Sequence, residues 1–89
     1  MTQMEKKDII RRLHKLNGQV QGIERMVEDG VRNEEIIMQI NAVKKASHRI
    51  GQMVLQAHLS ECIQDAAAGK NADVVFESCQ NALEFYSRM

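Results

Sequence analysis

NEEIIMQINAVKKASHRIGQMVLQAHLSECIQDAAA, residues 33–68, is the stretch whose reading decides the fold. It contains no proline, and the positions of Ile36, Ile40, Val43, Ser47, Ile50, Val54 and Ala57 are separated by alternating steps of four and three. That alternation draws one continuous seam along an α-helix, the pattern of a helix that packs lengthwise on other helices. At ~1.5 Å per residue the helix spans roughly 50 Å. A compact chain of 89 residues has a radius of gyration of about 12 Å and so a diameter near ~30 Å. The helix outruns its own globule, and a second copy of the chain is the simplest cover for it.

Two further helices flank this one. Helix 1 is predicted over about residues 6–29, where Ile9, Leu13, Leu16, Val20, Ile23 and Val27 repeat the same four-three steps. Gly18 and Gly22 lie one turn apart on one face and invite close backbone approach. Each costs about 1 kcal/mol relative to alanine inside a helix, which calls for a packing or functional return. Gly30 suits the residue just past the helix end. Helix 2 is predicted over about 34–68, with Asn33 as its N-cap and Glu34 and Glu35 at the positive end of its dipole. Gly69 follows its last turn. Helix 3 is predicted over about 72–88, capped by Asn71, with a stripe of Ala72, Val75, Cys79, Ala82 and Tyr86 backed by Phe76 and Leu83. No stretch alternates like a strand, so the expectation is one all-α domain over residues 1–89.

Twelve Lys/Arg balance twelve Asp/Glu, which argues against a non-specific nucleic-acid binder. The halves differ, however. Residues 1–51 hold ten cations against seven acids, and residues 52–89 hold two against five. An oligomer multiplies such an asymmetry into a basic and an acidic face. No apolar run resembles a signal peptide or reaches the ~20 residues of a membrane span. A cytoplasmic location is therefore expected, with Cys62 and Cys79 as reduced thiols rather than a structural disulfide.

Two clusters carry chemistry. Lys6, Lys7, Arg11, Arg12, His14 and Lys15 crowd the first turns of helix 1, and Lys44, Lys45, His48 and Arg49 the middle of helix 2. They read either as solvated faces or as a shared phosphate-binding patch whose affinity falls with salt. Neither long helix has the short turn and recognition helix of a helix-turn-helix. His58 and Cys62 lie one turn apart with Cβ atoms about 6 Å from each other. Imidazole and thiolate suit Cu(I) or Zn, but a third ligand must come from elsewhere, and either cysteine also reads as a buried thiol. No nucleophile stands paired with a base, so an enzyme is not expected.

Arg12-Leu-His-Lys-Leu-Asn-Gly-Gln-Val-Gln-Gly-Ile23, Gln39-Ile-Asn-Ala-Val43 and His58-Leu-Ser-Glu-Cys62 together resemble the signatures of the CsoR/RcnR family of bacterial transcriptional repressors. The resemblance covers about residues 6–66 in register. It implies an antiparallel four-helix-bundle homodimer built from helices 1 and 2, with dimers pairing into a disc-like homotetramer. It also implies that operator DNA is bound through Lys15 and Arg49, supported by Arg12, Lys44 and Lys45, and released when an effector binds.

Copper sensors of that family hold Cu(I) with a His and a Cys four apart, matched here by His58 and Cys62. Their third ligand is a Cys at the start of helix 2, and that position, six before Gln39, is Asn33. The aromatic residue just before it in the family is Arg32 here. Formaldehyde and persulfide sensors use the same missing cysteine. Nickel and cobalt sensors use a histidine close to the N-terminus, and Met1–Ile10 has none. The third helix of the copper sensors brings a carboxylate to the metal-binding His, so Cys79, close to Glu77, is placed to approach Cys62. Three readings follow: a rebuilt soft-metal site of His58, Cys62 and Cys79; a thiol switch between Cys62 and Cys79; or a repressor whose effector site is lost or changed. A helical oligomerisation module without DNA binding is the alternative from another class.

Overall fold

The computed structural model describes residues 1–89 as three helices: α1 (Gln3–Glu28), α2 (Asn33–Ala67) and α3 (Ala72–Ser87). The first begins earlier than residue 6 because Thr2 and Glu5 form a capping box. The Thr2 hydroxyl accepts from the Glu5 N–H at 3.1 Å, and the Thr2 N–H donates to Glu5 Oε1 at 2.8 Å. Two otherwise unpaired donors of the first turn are thereby satisfied. Held by these bonds, the Glu5 carboxyl titrates below its ordinary range.

Both interhelical turns end on glycine in the left-handed region, Gly30 at φ 68° and Gly69 at φ 80°. In each turn the residue after the glycine reaches back to a carbonyl five residues earlier. Val31 N–H donates to the Met26 carbonyl at 3.0 Å and Lys70 N–H to the Asp65 carbonyl at 3.1 Å. These are Schellman closures, which need a residue that tolerates positive φ. Asn71 then caps α3, its Oδ1 accepting from the N–H groups of Asp73 (2.9 Å) and Val74 (3.3 Å). The cap expected at Asn33 is displaced by one residue. Arg32 occupies the N-cap of α2 without a side-chain cap, and Asn33 is the first helical residue. Glu34 and Glu35 sit in that first turn and pair with the Arg32 guanidinium at 3.8 and 3.7 Å.

Helices α1 and α3 each pack on α2 and not on each other. The chain is consequently a flat layer of 57 × 26 × 13 Å with a radius of gyration of 17.5 Å, well above the about 12 Å of a compact chain this long. Only Ile9, Ile50, Ala57 and Cys62 are buried.

The four-three seams divide into two sets. Ile9, Leu16 and Ile23 on α1, and Ile36, Val43, Ile50 and Ala57 on α2, are buried or half-buried within the hairpin. The alternate positions Leu13, Val20 and Val27, with Ile40 and Val54, stay open, Val27 at 61% and Ile40 at 51% exposure. One seven-residue repeat closes the hairpin, and the other is left without a partner in the chain. Gly18 and Gly22 belong to the open side. No atom lies within 4 Å of where either would carry a Cβ, so the close approach expected there is not made by this chain's other helices.

Candidate effector site and nucleic-acid interface

The second half of α2 and the face of α3 opposite it create a small polar cluster between apolar walls. His58 and Cys62 project from successive turns of α2. From α3, Ser78 meets the imidazole: its hydroxyl lies 3.0 Å and its carbonyl 3.2 Å from His58 Nε2. A carbonyl can only accept, so a proton on Nε2 satisfies both contacts and leaves the Nδ1 lone pair free. Nδ1 is 3.9 Å from Glu61 Oε2, and Glu61 also receives the Met1 ammonium group.

Cys62 is buried and Cys79 half-buried, both as free thiols. Burial pushes the Cys62 thiol above its ordinary range, and the nearby Cys79 thiol and Asp65 carboxylate push the same way, while the Ser78 hydroxyl opposes them. Cys62 is thus a neutral thiol at pH 7, sharing the lining of one hollow with a second thiol and one turn from an imidazole. On one flank a hollow of about 320 Å³ is lined by His58, Glu61, Cys62, Asp65 and Ser78 among others. On the other, an apolar hollow of about 460 Å³ is lined by both cysteines together with Leu59, Ile63, Val75 and Phe76.

The structure therefore brings Cys79 to Cys62 and places Ser78 where the resemblance implies a carboxylate. Glu77 is exposed. Sequence reasoning did not single out Ser78. The signal was present, since it shares a helical face with Val75 and Ala82. No three His, Cys, Asp or Glu side chains of the chain converge closely enough to enclose a metal ion.

The cationic residues gather on the other half of α2. Arg12 and Lys15 of α1 border a narrow groove of about 110 Å³ with Gln19 and with Ala46 and Ile50 of α2. Lys45 and Arg49 precede those last two residues in the chain. Lys44, Lys45 and His48 line a wider hollow of about 560 Å³ that ends at Met89. Arg49 is steadied by Gln52 Oε1 at 2.7 Å. Asp8, which sequence reasoning passed over, sits among the cations. It accepts from Arg11 Nη2 at 2.6 Å and lies 3.5 Å from Arg12 Nε. The Arg11 hydrogen bond holds the Asp8 carboxyl below its ordinary range, with Arg12 adding to the effect. Arg12 Nε itself is covered and has no hydrogen-bond partner.

The chain is a small all-α layer with a cationic half and a thiol–imidazole half. Residues 5–87 match the family described as metal-sensitive transcriptional repressor, and the chain belongs to that family, whose members are repressors and not enzymes. It is 39% identical over 62 residues to the copper-sensing transcriptional repressor CsoR of Bacillus subtilis, covering 70% of this chain and 61% of that one. It is 37% identical over 71 residues to the copper-sensing transcriptional repressor RicR of Mycobacterium tuberculosis, covering 78% of this chain and 74% of that one. Among solved structures, the nickel-responsive transcriptional regulator InrS superposes with a TM-score of 0.83 at 29% identity, over 90% of both chains. No helix is long and apolar enough to cross a membrane.

Proposed function

We propose that this protein is a cytoplasmic repressor that holds operator DNA through Arg12, Lys15, Lys44, Lys45 and Arg49 and lets go when Cu(I) occupies a site made by Cys62, Cys79 and His58. The observation that supports this reading is that Cys62 and Cys79 line one hollow while His58, one turn from Cys62, is held from α3 by Ser78. Two soft sulfur donors and one imidazole are a donor set suited to Cu(I), and they substitute for the ligand that Asn33 cannot provide. The site differs from a pre-assembled one, because the His58 ring is held by Ser78 and three donors do not yet converge.

When bound, Cu(I) would supply a single positive charge, which one thiolate would balance and the second would turn into a net negative site. The chain's own residues do the rest. Cys62 and Cys79 give up their protons, Ser78 keeps the imidazole proton on Nε2, and the apolar walls keep water from the sulfurs. Because burial keeps Cys62 protonated, metal uptake releases protons and strengthens as pH rises.

The open seven-residue repeat of α1 and α2 supports a homodimer, and pairing of dimers a homotetramer. Both would place several cationic faces on one DNA duplex. The placing of two free thiols on one hollow also favours a second reading, a disulfide switch. There, an oxidant such as peroxide accepts two electrons and two protons from Cys62 and Cys79 as the Sγ–Sγ bond forms and water leaves.

Operator binding followed by fluorescence anisotropy at two salt concentrations, with and without Cu(I) buffered by a competing chelator, tests the proposal. Tight, salt-sensitive binding weakened by Cu(I) is expected. DNA binding that Cu(I) leaves unchanged but peroxide weakens moves the assignment to the disulfide. Absence of any specific binding leaves a helical oligomerisation module.

A further inference from the structure

One face of α3 touches both functional halves of α2. At the level of Ser78 and Cys79 it meets His58 and Cys62. Two turns further on, the Tyr86 hydroxyl lies 3.2 Å from His48 Nε2, and the two rings stack at 5.2 Å between centroids with 31° between their planes. Beyond that, Met89 fills the notch over Gly51, where an added Cβ would come within 2.7 Å of its Sδ and 2.6 Å of its Cε. His48 stands beside Lys44 and Lys45 around the hollow that Met89 closes.

From these contacts we infer that Tyr86 and His48 are positioning residues that transmit the state of the thiol pair to the cationic face, with α3 as the rigid connector. The inference rests on the proposed effector site. A 16-residue helix bends little over the ~12 Å between residues 78 and 86. It packs only on α2, so no other element of the chain opposes its displacement. A group entering between Cys62 and Cys79 shifts α3 at Ser78, and the same rigid motion alters the Tyr86–His48 stack and the seat of Met89. His48 then repositions the lysines beside it. Two packed arrangements of α3, each favoured by one state of the sulfurs, are what such coupling requires.

The test uses the full chain, with the His48 ring followed by NMR in wild type, Tyr86→Phe and Gly51→Ala. The thiols are loaded in two ways: with Cu(I), and with methyl methanethiosulfonate, which places a CH3S group on a thiol whatever the natural effector is. Alanine forms helix better than glycine, so Gly51→Ala unseats Met89 without endangering α2. In wild type the His48 signals move once mass spectrometry shows methylthiolation. In both variants that movement is lost, and the weakening of operator binding falls by about tenfold, within the usual span of allosteric coupling, while Cu(I) affinity of the free protein is retained. A stationary His48 ring in methylthiolated wild type, or a full response in Tyr86→Phe, overturns the inference. A His48 response to methylthiolation combined with indifference to Cu(I) leaves it standing and removes the metal instead.

Discussion

The two halves of α2 serve different ends by different physics. Around Lys44–Arg49 the helix offers charge to water: Lys44, Lys45 and Arg49 are exposed, and Arg49 leans on the neutral Gln52 amide rather than on a carboxylate. Around His58–Cys62 it offers two buried or half-buried groups whose partners come from α3, twenty residues away in the case of His58 and Ser78. The first half needs only a scaffold that keeps cations on one side, and its energetics are screened by salt. The second needs atoms placed to fractions of an ångström in a drier setting, and its energetics are set by protons. A regulator needs both, and α2 is the one element that reaches from one to the other.

Substitutions can break this contrast in order of expected effect. Reversing charge at Lys15 and Arg49 together (Lys15→Glu, Arg49→Glu) should lower operator affinity by about 100-fold or more. The salt slope should fall by about one for each phosphate no longer neutralised. Thermal stability should hardly change, since both side chains are exposed. Anisotropy titrations at two salt concentrations would show whether the cationic half acts as assigned.

Truncating the core below it has the complementary signature. Ile50→Ala removes one of the four buried residues and should cost about 2–5 kcal/mol of stability, measured by chemical denaturation at fixed protein concentration.

The thiol half is sharpened by pH. Because the Cys62 pKa is raised, its thiol resists iodoacetamide at pH 7 and becomes reactive only as pH climbs past the range of a free cysteine. The neutral form favoured by the fold is present at and below neutrality, so this contribution to stability is retained there and lost as pH rises through the folded pKa. Mass spectrometry of timed alkylation would resolve it from Cys79, and equal rates at pH 7 would contradict the assignment. Ser78→Ala should loosen Cu(I) by about tenfold through the freed imidazole and leave DNA affinity of the metal-free protein unchanged.

The smallest effect belongs to the cap. Thr2→Ala should lower stability by about 1 kcal/mol in a thermal melt. The Glu5 share of the cap is present above the ordinary carboxylate range and is lost as pH falls from there through the lowered pKa that the carboxyl has in the fold.

The sequence carried most of the fold because the long four-three repeats and the two terminal glycines are local signals. It also carried the His58–Cys62 spacing, a property of any helix. Three things depended on the fold. The start of α1 was hidden by a threonine–glutamate box outside the apolar pattern. Ser78 was marked only by sharing a helical face with Val75 and Ala82, which does not tell a ligand-holding serine from a packed one, and its role depends on how α3 lies on α2. Asp8 was submerged in a count of cations. Asn33 was legible in identity and misplaced in role: its helix is capped by Arg32, so its meaning lies in being a residue without sulfur.

The turn Gly69-Lys70-Asn71 is pinned from both sides, by the Schellman closure behind it and the Asn71 cap ahead. It therefore acts as a phase setting for α3. One residue inserted after the first turn of that helix would rotate everything beyond it by roughly 100°, carrying Ser78, Cys79 and Tyr86 off α2 together while leaving helix content intact. Such a protein would keep its shape and its charge and be deaf. For the proposed effector site, the count of residues between Gly69 and Cys79 matters as much as the sulfur atoms.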